Sequence, residues 1–571
     1  MKKAKYIFAC LLWAVLGAYL PASADAGWLW GKAGANLSTY SVARTDIATD
    51  AAGNVYTINI DSNIDIDGYF KKGYTSQNIC IVSFDYQGHY RWSKMISHSN
   101  NYENLEIKTD NLGGVYISGA VNATGTYVNI DDDAIIRPTR KSVLFVKYDT
   151  SGKYLWHKMP EPEWTYNEGY GFVSRSMCVA QNGDIRVLAL LRKGVFCDSN
   201  YAVDDTNHSL HVLSLDARGN FVRGVPLDLN GDAVDLIGHA MSWEVNYDKY
   251  YVYSTNISQE HELYYGSTAI KGKGMLIGKF DASGYNEWVK YAHGPARITK
   301  VVSGPDGSVY IGCLAKRGIV FDGYTFTNTK DKLTAPCILK YDKDDNRQWV
   351  VNSSGGGDFF VFALSGNLLA GAGETMFGAN VSWGPGLEVG HSFREPASVY
   401  SEALNLGNYI VTLDAEKGTA LQVDSLLGNF IRPTQMSGNK RGCFYFTGVF
   451  GVKGRSLALP GVDTLTGYRG PTPFLVKYGT DDCDKPLVSR EKPLLTDLPA
   501  HPNPFSETLY IGNTCPGATL QLLSPMGQIM FRQVLHSGEH AVPVPALPPG
   551  MYLLELRCGT EAPLRKTMIR L

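Results

Sequence analysis

The strongest constraint on the fold is a phrase that returns every 61 to 72 residues. An apolar alternating run ends in Tyr, Leu or Phe followed by Asp. Turn residues with Gly come next, and then often a Trp. The phrase reads Ile81-Val82-Ser83-Phe84-Asp85 with Gly88 and Trp92, and again Phe145-Val146-Lys147-Tyr148-Asp149 with Gly152 and Trp156. Further copies end at Asp216, Asp281, Asp342 and Asp414, with Trp288 and Trp349 after the second and third of these. The last copy, Phe474-Leu475-Val476-Lys477-Tyr478-Gly479, puts Gly in the Asp place. Self-similarity at such a period marks a repeat architecture, in which one unit buries its apolar faces only against its neighbours.

A second phrase precedes each copy. It is clearest at Asp50-Ala51-Ala52-Gly53-Asn54-Val55-Tyr56, Asp110-Asn111-Leu112-Gly113-Gly114-Val115-Tyr116 and Pro305-Asp306-Gly307-Ser308-Val309-Tyr310. Weaker copies start at Gln181, Ser365 and Ser437. Asp, Asn and Gly tolerate the positive φ of a tight hairpin, and the flanking alternation supplies the strands. Each unit therefore gives four strands. A further short hairpin between the second and third shows at Ile64–Gly68, Val128–Asp132, Ile319–Gly323 and Leu457–Gly461. Asn63-x-Asp65-x-Asp67-Gly68 invites a calcium reading, but Tyr74 stands where such a loop needs a bidentate Glu. A hairpin turn is the better account, and neither a metal nor a cofactor is expected.

Four-stranded units repeated radially make a β-propeller, with an open solenoid or two sandwiches as alternatives. The seventh unit stops near Gly479 without a Trp strand, while Trp28-Leu29-Trp30-Gly31 is a Trp strand without a unit. The expected fold is all-β: a seven-bladed β-propeller over residues 27–482, closed by the N-terminal strand lying antiparallel to Phe474–Tyr478. These phrases resemble the bacterial β-propeller repeat often called the SBBP repeat, over roughly residues 27–480. That resemblance implies a fold and an extracellular setting, and no activity.

The ends of the chain speak about delivery. Lys2, Lys3 and Lys5 precede an apolar run from Ile7 to Leu20, and small residues allow cleavage after Ala24 or Ala26, so residues 1–26 read as a signal peptide. Ten Cys become nine once Cys10 leaves, an odd and scattered set that does not read as a disulfide framework. Cys80 and Cys337 hold the same place in two repeats and should not pair. Residues 483–498 read as a linker, and residues 499–571 as a small antiparallel, Ig-like β-sandwich. This last domain resembles the type A sorting domain of the type IX secretion system. The matching features are Pro502-Asn503-Pro504-Phe505, the Gly527 turn, the strand entry Gly550-Met551-Tyr552, and the basic-apolar end around Lys566. The resemblance implies recognition by the type IX machinery, a secreted or outer-membrane surface location reached through the periplasm, and a Gram-negative bacterial source.

Chemistry is less visible. The formal net charge is −2 and no long basic run is present, so nucleic acid is not an expected partner. No membrane span is expected in the mature chain. No nucleophile, zinc or phosphate-loop motif occurs, so no catalytic residue is assigned. His208 and His211 sit close together and read as a structural strand pair. The loop after Trp156 departs from the repeat, and its Trp164, Tyr166 and Tyr170 could stack on a sugar or peptide. His293 and Arg297 occupy an equivalent loop. The leading functional reading is a non-enzymatic binding module for a glycan, peptide or protein. A propeller hydrolase or lyase acting on a polysaccharide or peptide, and a structural part of a surface assembly, are the alternatives.

Overall fold

The computed structural model describes residues 26–34, 45–66, 69–74, 77–98, 105–121, 127–138, 142–159, 164–165, 172–197, 200–205, 208–231, 238–254, 262–327, 334–354, 360–375, 381–383, 388–389, 407–428, 431–439, 441–450, 456–466, 472–480, 483, 500–501, 507–513, 518–524, 529–535, 538–544, 547–557 and 564–570. Among these the chain is all-β, with no helix. It divides into two compact units, one up to residue 484 and one from residue 485. All of the signal segment but Ala26, most of the linker, Pro502 to Phe505 and Gly527 lie outside the described residues.

Among the described residues the first unit carries seven antiparallel sheets with four principal strands each, in the spatial order a, b, c, d, beside smaller two- and three-stranded sheets. Sheet one is Asp46–Thr49, Val55–Asp61, Gln77–Phe84 and Tyr90–His98. Sheet seven takes Arg432–Gly438, Phe444–Phe450 and Thr472–Gly479 from one end of the chain and its d strand, Gly27–Ala33, from the other. That d strand lies antiparallel to the c strand, with Trp28 opposite Tyr478 and Trp30 opposite Lys477. The a strands of sheets two to six are Glu106–Thr109, Phe172–Val179, His239–Glu244, Ala296–Ser303 and Phe360–Ser365. Each a strand packs beside the next, and Arg432–Gly438 returns to Asp46–Thr49.

Strand alternation explains why both faces of a sheet are apolar. Ile47 packs with Trp30 and Leu475 between sheets seven and one. Its neighbour Ala48 joins Tyr56, Ile107 and Ile117 between sheets one and two. Inner strands such as Ser209–Leu215 and Gly274–Phe280 are buried on both faces and read as nearly continuous apolar runs.

The repeated polar residues join sheet to sheet at the c–d turns. Asp85 Oδ1 accepts the backbone N–H groups of Gln87 and His89 at 2.9 and 2.8 Å, which shapes the turn. Gly88 then sits at φ 84°, and a Cβ there would stand 2.9 Å from the Trp30 ring. A Cβ on Gly152 would likewise stand 2.8 Å from the Trp92 ring. Glycine is needed because the indole of the preceding d strand lies flat against the turn. That indole also donates to the turn: Trp30 to Tyr86 O at 3.0 Å, Trp92 to Thr150 O at 2.9 Å and Trp349 to Glu416 O at 2.8 Å. The Lys of the phrase reaches the same turns, Lys477 to Tyr86 O at 2.7 Å and Lys147 to Ala217 O at 3.1 Å. Trp30 therefore does between sheets seven and one what Trp92 does between sheets one and two.

The inserted hairpins cover sheet edges. The strand Val128–Ile130 adds to the d strand of sheet one through Ile130 and Ile96, and Ser456–Leu459 adds to that of sheet six through Leu427 and Ala458. Ile66 bridges Gly34, just past the N-terminal strand. An open edge would otherwise present unpaired backbone groups. A disulfide joins Cys443 to Cys483 across a separation of 40 residues, a bond that the odd cysteine count concealed. Chain entropy alone values such a closure at about 4 kcal/mol. Cys80 and Cys337 are free thiols, unpaired as expected.

The second unit is two antiparallel sheets. One holds Ala500–His501, Thr508–Asn513 and Gly538–Pro543, and the other Ile529–Leu535, Ala518–Leu523, Gly550–Arg557 and Leu564–Arg570. Leu509, Ile511 and Val542 from the first meet Leu520, Leu554 and Met568 from the second in one core. Tyr552 donates to Pro548 O at 2.7 Å, and Lys566 pairs through its backbone with Leu554. Gly550 has φ 151°.

Candidate functional site

The residues singled out from sequence have different neighbours in the structure. Trp164 is not in a free loop: Trp164–Thr165 is a short strand paired with Val195 and Gly194. Tyr166 and Tyr170 lie outside the described residues. His293 ends the d strand Asn286–His293 of sheet four, exposed and edge-on to Tyr291 at 6.3 Å. Arg297 is exposed near the start of the a strand of sheet five, opposite Leu314. His211 is buried, bonded to Tyr201 and Ser209 at 2.8 Å each, and burial pushes its pKa down to about 4. It is a neutral core histidine.

A different set converges on the a strands. Each a strand is an edge strand of its sheet, so its outward N–H and C=O groups have no sheet partner. Side chains from neighbouring a strands supply one. Asp46 Oδ2 accepts from Ile107 N at 2.9 Å and from Lys108 Nζ at 2.7 Å. Glu106 accepts from Met177 N, and from Ser176 Oγ at 3.4 Å. Ser176 Oγ and Cys178 Sγ both lie against Met241 O, at 3.3 and 3.5 Å. Thr109 donates to Thr49 O at 2.7 Å. Lys300, from sheet five, passes sheet six and donates to Met436 O of sheet seven at 2.9 Å.

The aligned repeats show how these residues come to the same level. Asp50, Asp110, Ala180, Gly304 and Asn439 open equivalent a–b turns, each donating its N–H to the carbonyl four residues on. Four residues before them stand Asp46, Glu106, Ser176, Lys300 and Gln435. Every one is polar. Sequence reading overlooked this position because it follows no motif; aligning the strands ahead of each turn would have found it.

The electrostatics follow from confinement. Lys108 keeps 33% of its side chain open and pairs with Asp46 of the neighbouring a strand at 2.7 Å. Burial disfavours its ammonium, but Asp46 and Glu106 outweigh that and hold its pKa above the ordinary value. Burial is also the largest influence on Glu106 and, with Asp46 adding, pushes its carboxyl up to about 7 against the opposing pull of Lys108. Lys300 is pulled down to about 8 by burial and by Lys108, with Asp46 opposing. The Cys178 thiol is pushed up to about 12, chiefly by burial, so it does not supply a thiolate nucleophile at neutral pH.

A separate cleft of about 590 Å³ opens between sheets seven and one, lined by Thr45, Thr57, Asn59, Asp61, Thr447 and Phe474 among others. Asp61 is 5% exposed, and burial pushes its carboxyl up to about 6. Among the described residues, no group of three or more His, Cys, Asp or Glu is arranged to hold a metal.

The family model of the secretion system C-terminal sorting domain matches residues 500–570. The tail is a type IX sorting domain. It supports export through type IX secretion and a secreted or cell-surface location for the whole chain. No curated protein matches the sequence. Among solved structures, a protein of unknown function from Bacteroides caccae is 10% identical with a TM-score of 0.29, covering 57% of this chain and 91% of that one. PorZ, a surface component of the type-IX secretion system of Porphyromonas gingivalis, is 10% identical with a TM-score of 0.16, over 94% and 99%. A mutant NanB sialidase from Streptococcus pneumoniae is 10% identical with a TM-score of 0.25, over 71% and 73%.

Proposed function

We propose that this is an exported surface or secreted binding module: a seven-bladed β-propeller of the SBBP-like kind, closed by the N-terminal strand and delivered by the sorting domain. The single observation that carries the delivery half is the sorting domain at residues 500–570. Support for the ring comes from the cyclic contacts of the seven a strands and from Trp30 filling the place of Trp92. In this reading residues 1–26 are a cleaved signal, and the polar a-strand residues surround the ring axis. Ligands meet the propeller there or near the strand segments carrying Trp164, His293 and Arg297.

The test has two arms. Removing residues 485–571 should stop surface delivery while leaving the first unit folded, and surface exposure at normal levels would sink the sorting role. A glycan and peptide array on the purified protein should return a ligand class.

A hydrolase or lyase is the second reading, favoured by Glu106, whose carboxyl at about 7 lies in the range of a general acid. Turnover of an array ligand, abolished in Glu106→Gln, would establish it. The engagement of both axial carboxylates with backbone N–H groups favours binding instead.

A further inference from the structure

The b strand of sheet one breaks the pattern of the others on one face. Counted from the a–b turns that open at Asp50, Asp110, Ala180, Gly304 and Asn439, three alternate positions fall on the same face of each b strand. Sheets two and three carry Ile117, Gly119 and Val121, then Val187, Ala189 and Leu191. Sheets five and seven carry Ile311, Cys313 and Ala315, then Phe446, Gly448 and Phe450. Sheet one has Thr57, Asn59 and Asp61 there instead, and all three line the cleft of about 590 Å³ that it shares with Thr447 and Phe474 of sheet seven. The other four sheets show that the fold needs no polar row at this place.

The polar groups of the row are not used up by the protein. Asp61 is 5% exposed, and its hydrogen bonds, from Ser62 N at 2.6 Å and Ser62 Oγ at 3.3 Å, both fall on Oδ1. Beyond Ser62 only the N–H of Asn63 favours its charge, and no cation does. Burial pushes its carboxyl up to about 6, which still leaves most of it ionised at neutral pH. Among the described residues the Asn59 amide has no hydrogen-bond partner, and Asp65, exposed on the hairpin strand Asn63–Ile66, makes no ion pair. The lining holds these two carboxylates and no Lys, Arg or His. A buried carboxylate without a counter-charge is costly, and a cation entering from outside relieves it.

We propose that the cleft between sheets seven and one binds the protonated amine of a small extracellular ligand, with Asp61 Oδ2 accepting from the ammonium. Asp65 adds negative charge on the same cleft, and the Asn59 amide meets a hydroxyl or carbonyl beside the amine. Val82, Phe474 and Leu475 supply apolar wall for the carbon body. An amino sugar and the free amino end of a peptide both carry this group. The inference rests on the reading of the first unit as a binding module and adds a place of contact away from the a strands.

The experiment is calorimetric titration of the full-length chain with glucosamine and with leucinamide, each against its N-acetylated counterpart, which keeps the body and removes the charge. At least one amine should bind saturably, and its acetylated form about tenfold or more weaker. Which amine binds tells sugar from peptide. Asp61→Asn should weaken binding by about tenfold or more without lowering the melting temperature. Asn59→Ala, which gives sheet one the residue that sheet three has, serves if that variant fails to fold, and should weaken binding about threefold or more. No saturable binding of either amine, equal binding of the acetylated forms, or unchanged affinity in the variant overturns the inference. If the array finds a ligand whose affinity is untouched by Asp61→Asn, the binding reading stands and this one falls. If neither the array nor the titration finds a ligand, the binding reading itself falls.

Discussion

At the c–d turns the same residue types recur from sheet to sheet; on the a strands, four residues before the a–b turn, none of the five aligned copies agrees. The first region holds Asp85, Gly88 and Trp30, then Asp149, Gly152 and Trp92, with like contacts each time. The second holds Asp46, Glu106, Ser176, Lys300 and Gln435. Both regions join sheets, but the turns do so mostly by one repeated rule, whereas Asp46, Glu106, Ser176 and Lys300 each make a different contact. At four junctions the contact is met by one solution, Trp on Gly: Trp30 on Gly88, Trp92 on Gly152, Trp156 on Gly219 and Trp349 on Gly418. A place where side chains from many sheets meet has no such demand, so its residues are free to specify a site. Sheet five shows the limit of the rule. Its c–d turn has Asp345 at φ 65° instead of Gly, Trp288 Nε1 is buried without a partner, and Lys279 reaches Asp345 at 2.8 Å.

The comparison can be broken by removing a turn contact. Deleting residues 27–34 should have the largest effect, since it strips a whole d strand from sheet seven. Hydrogen exchange should accelerate in Thr472–Gly479 and in the turn around Tyr86, and unchanged protection at both would refute the role of that strand. Trp30→Ala and Trp92→Ala should each cost about 3–5 kcal/mol in denaturant unfolding. A much smaller cost for Trp30 would mean that the junction between the chain ends is not equivalent to the others. Gly88→Ala should cost about 1–3 kcal/mol, through positive φ and the indole above it.

The a strands should respond to pH more than to truncation. The Glu106 pKa rises from 4.5 to about 7 on folding, so the native state holds its proton more tightly. Stability from this group is therefore full below about 4.5 and lost as pH rises to about 7. Glu106→Gln should flatten that part of the stability curve by on the order of 1 kcal/mol, given its partial exposure and the charges of Asp46, Lys108 and Lys300 around it. Lys300→Met should change stability least, within about 1 kcal/mol and toward greater stability, because it removes a confined charge lacking a counter-ion. A loss of several kcal/mol would make Lys300 a structural residue like Trp30.

Strand alternation, turn residues and the repeat period are local properties, and they were enough to determine the all-β fold class, the four strands of each sheet and the partner of the N-terminal strand. The tail motif determined the sorting domain for the same reason: its residues are close in sequence and ordered. Tertiary structure alone decided the rest. Cys443 and Cys483 meet because the b and c strands of sheet seven end side by side, which no cysteine count foretells. The inserted hairpins proved to cover the preceding d strand, and Trp164 lay in a strand rather than a free loop. The partner of Lys300 comes from two sheets further on, and that of Asp46 from the next sheet. Their meeting depends on how whole sheets are arranged, and spacing along one strand carries no information about that.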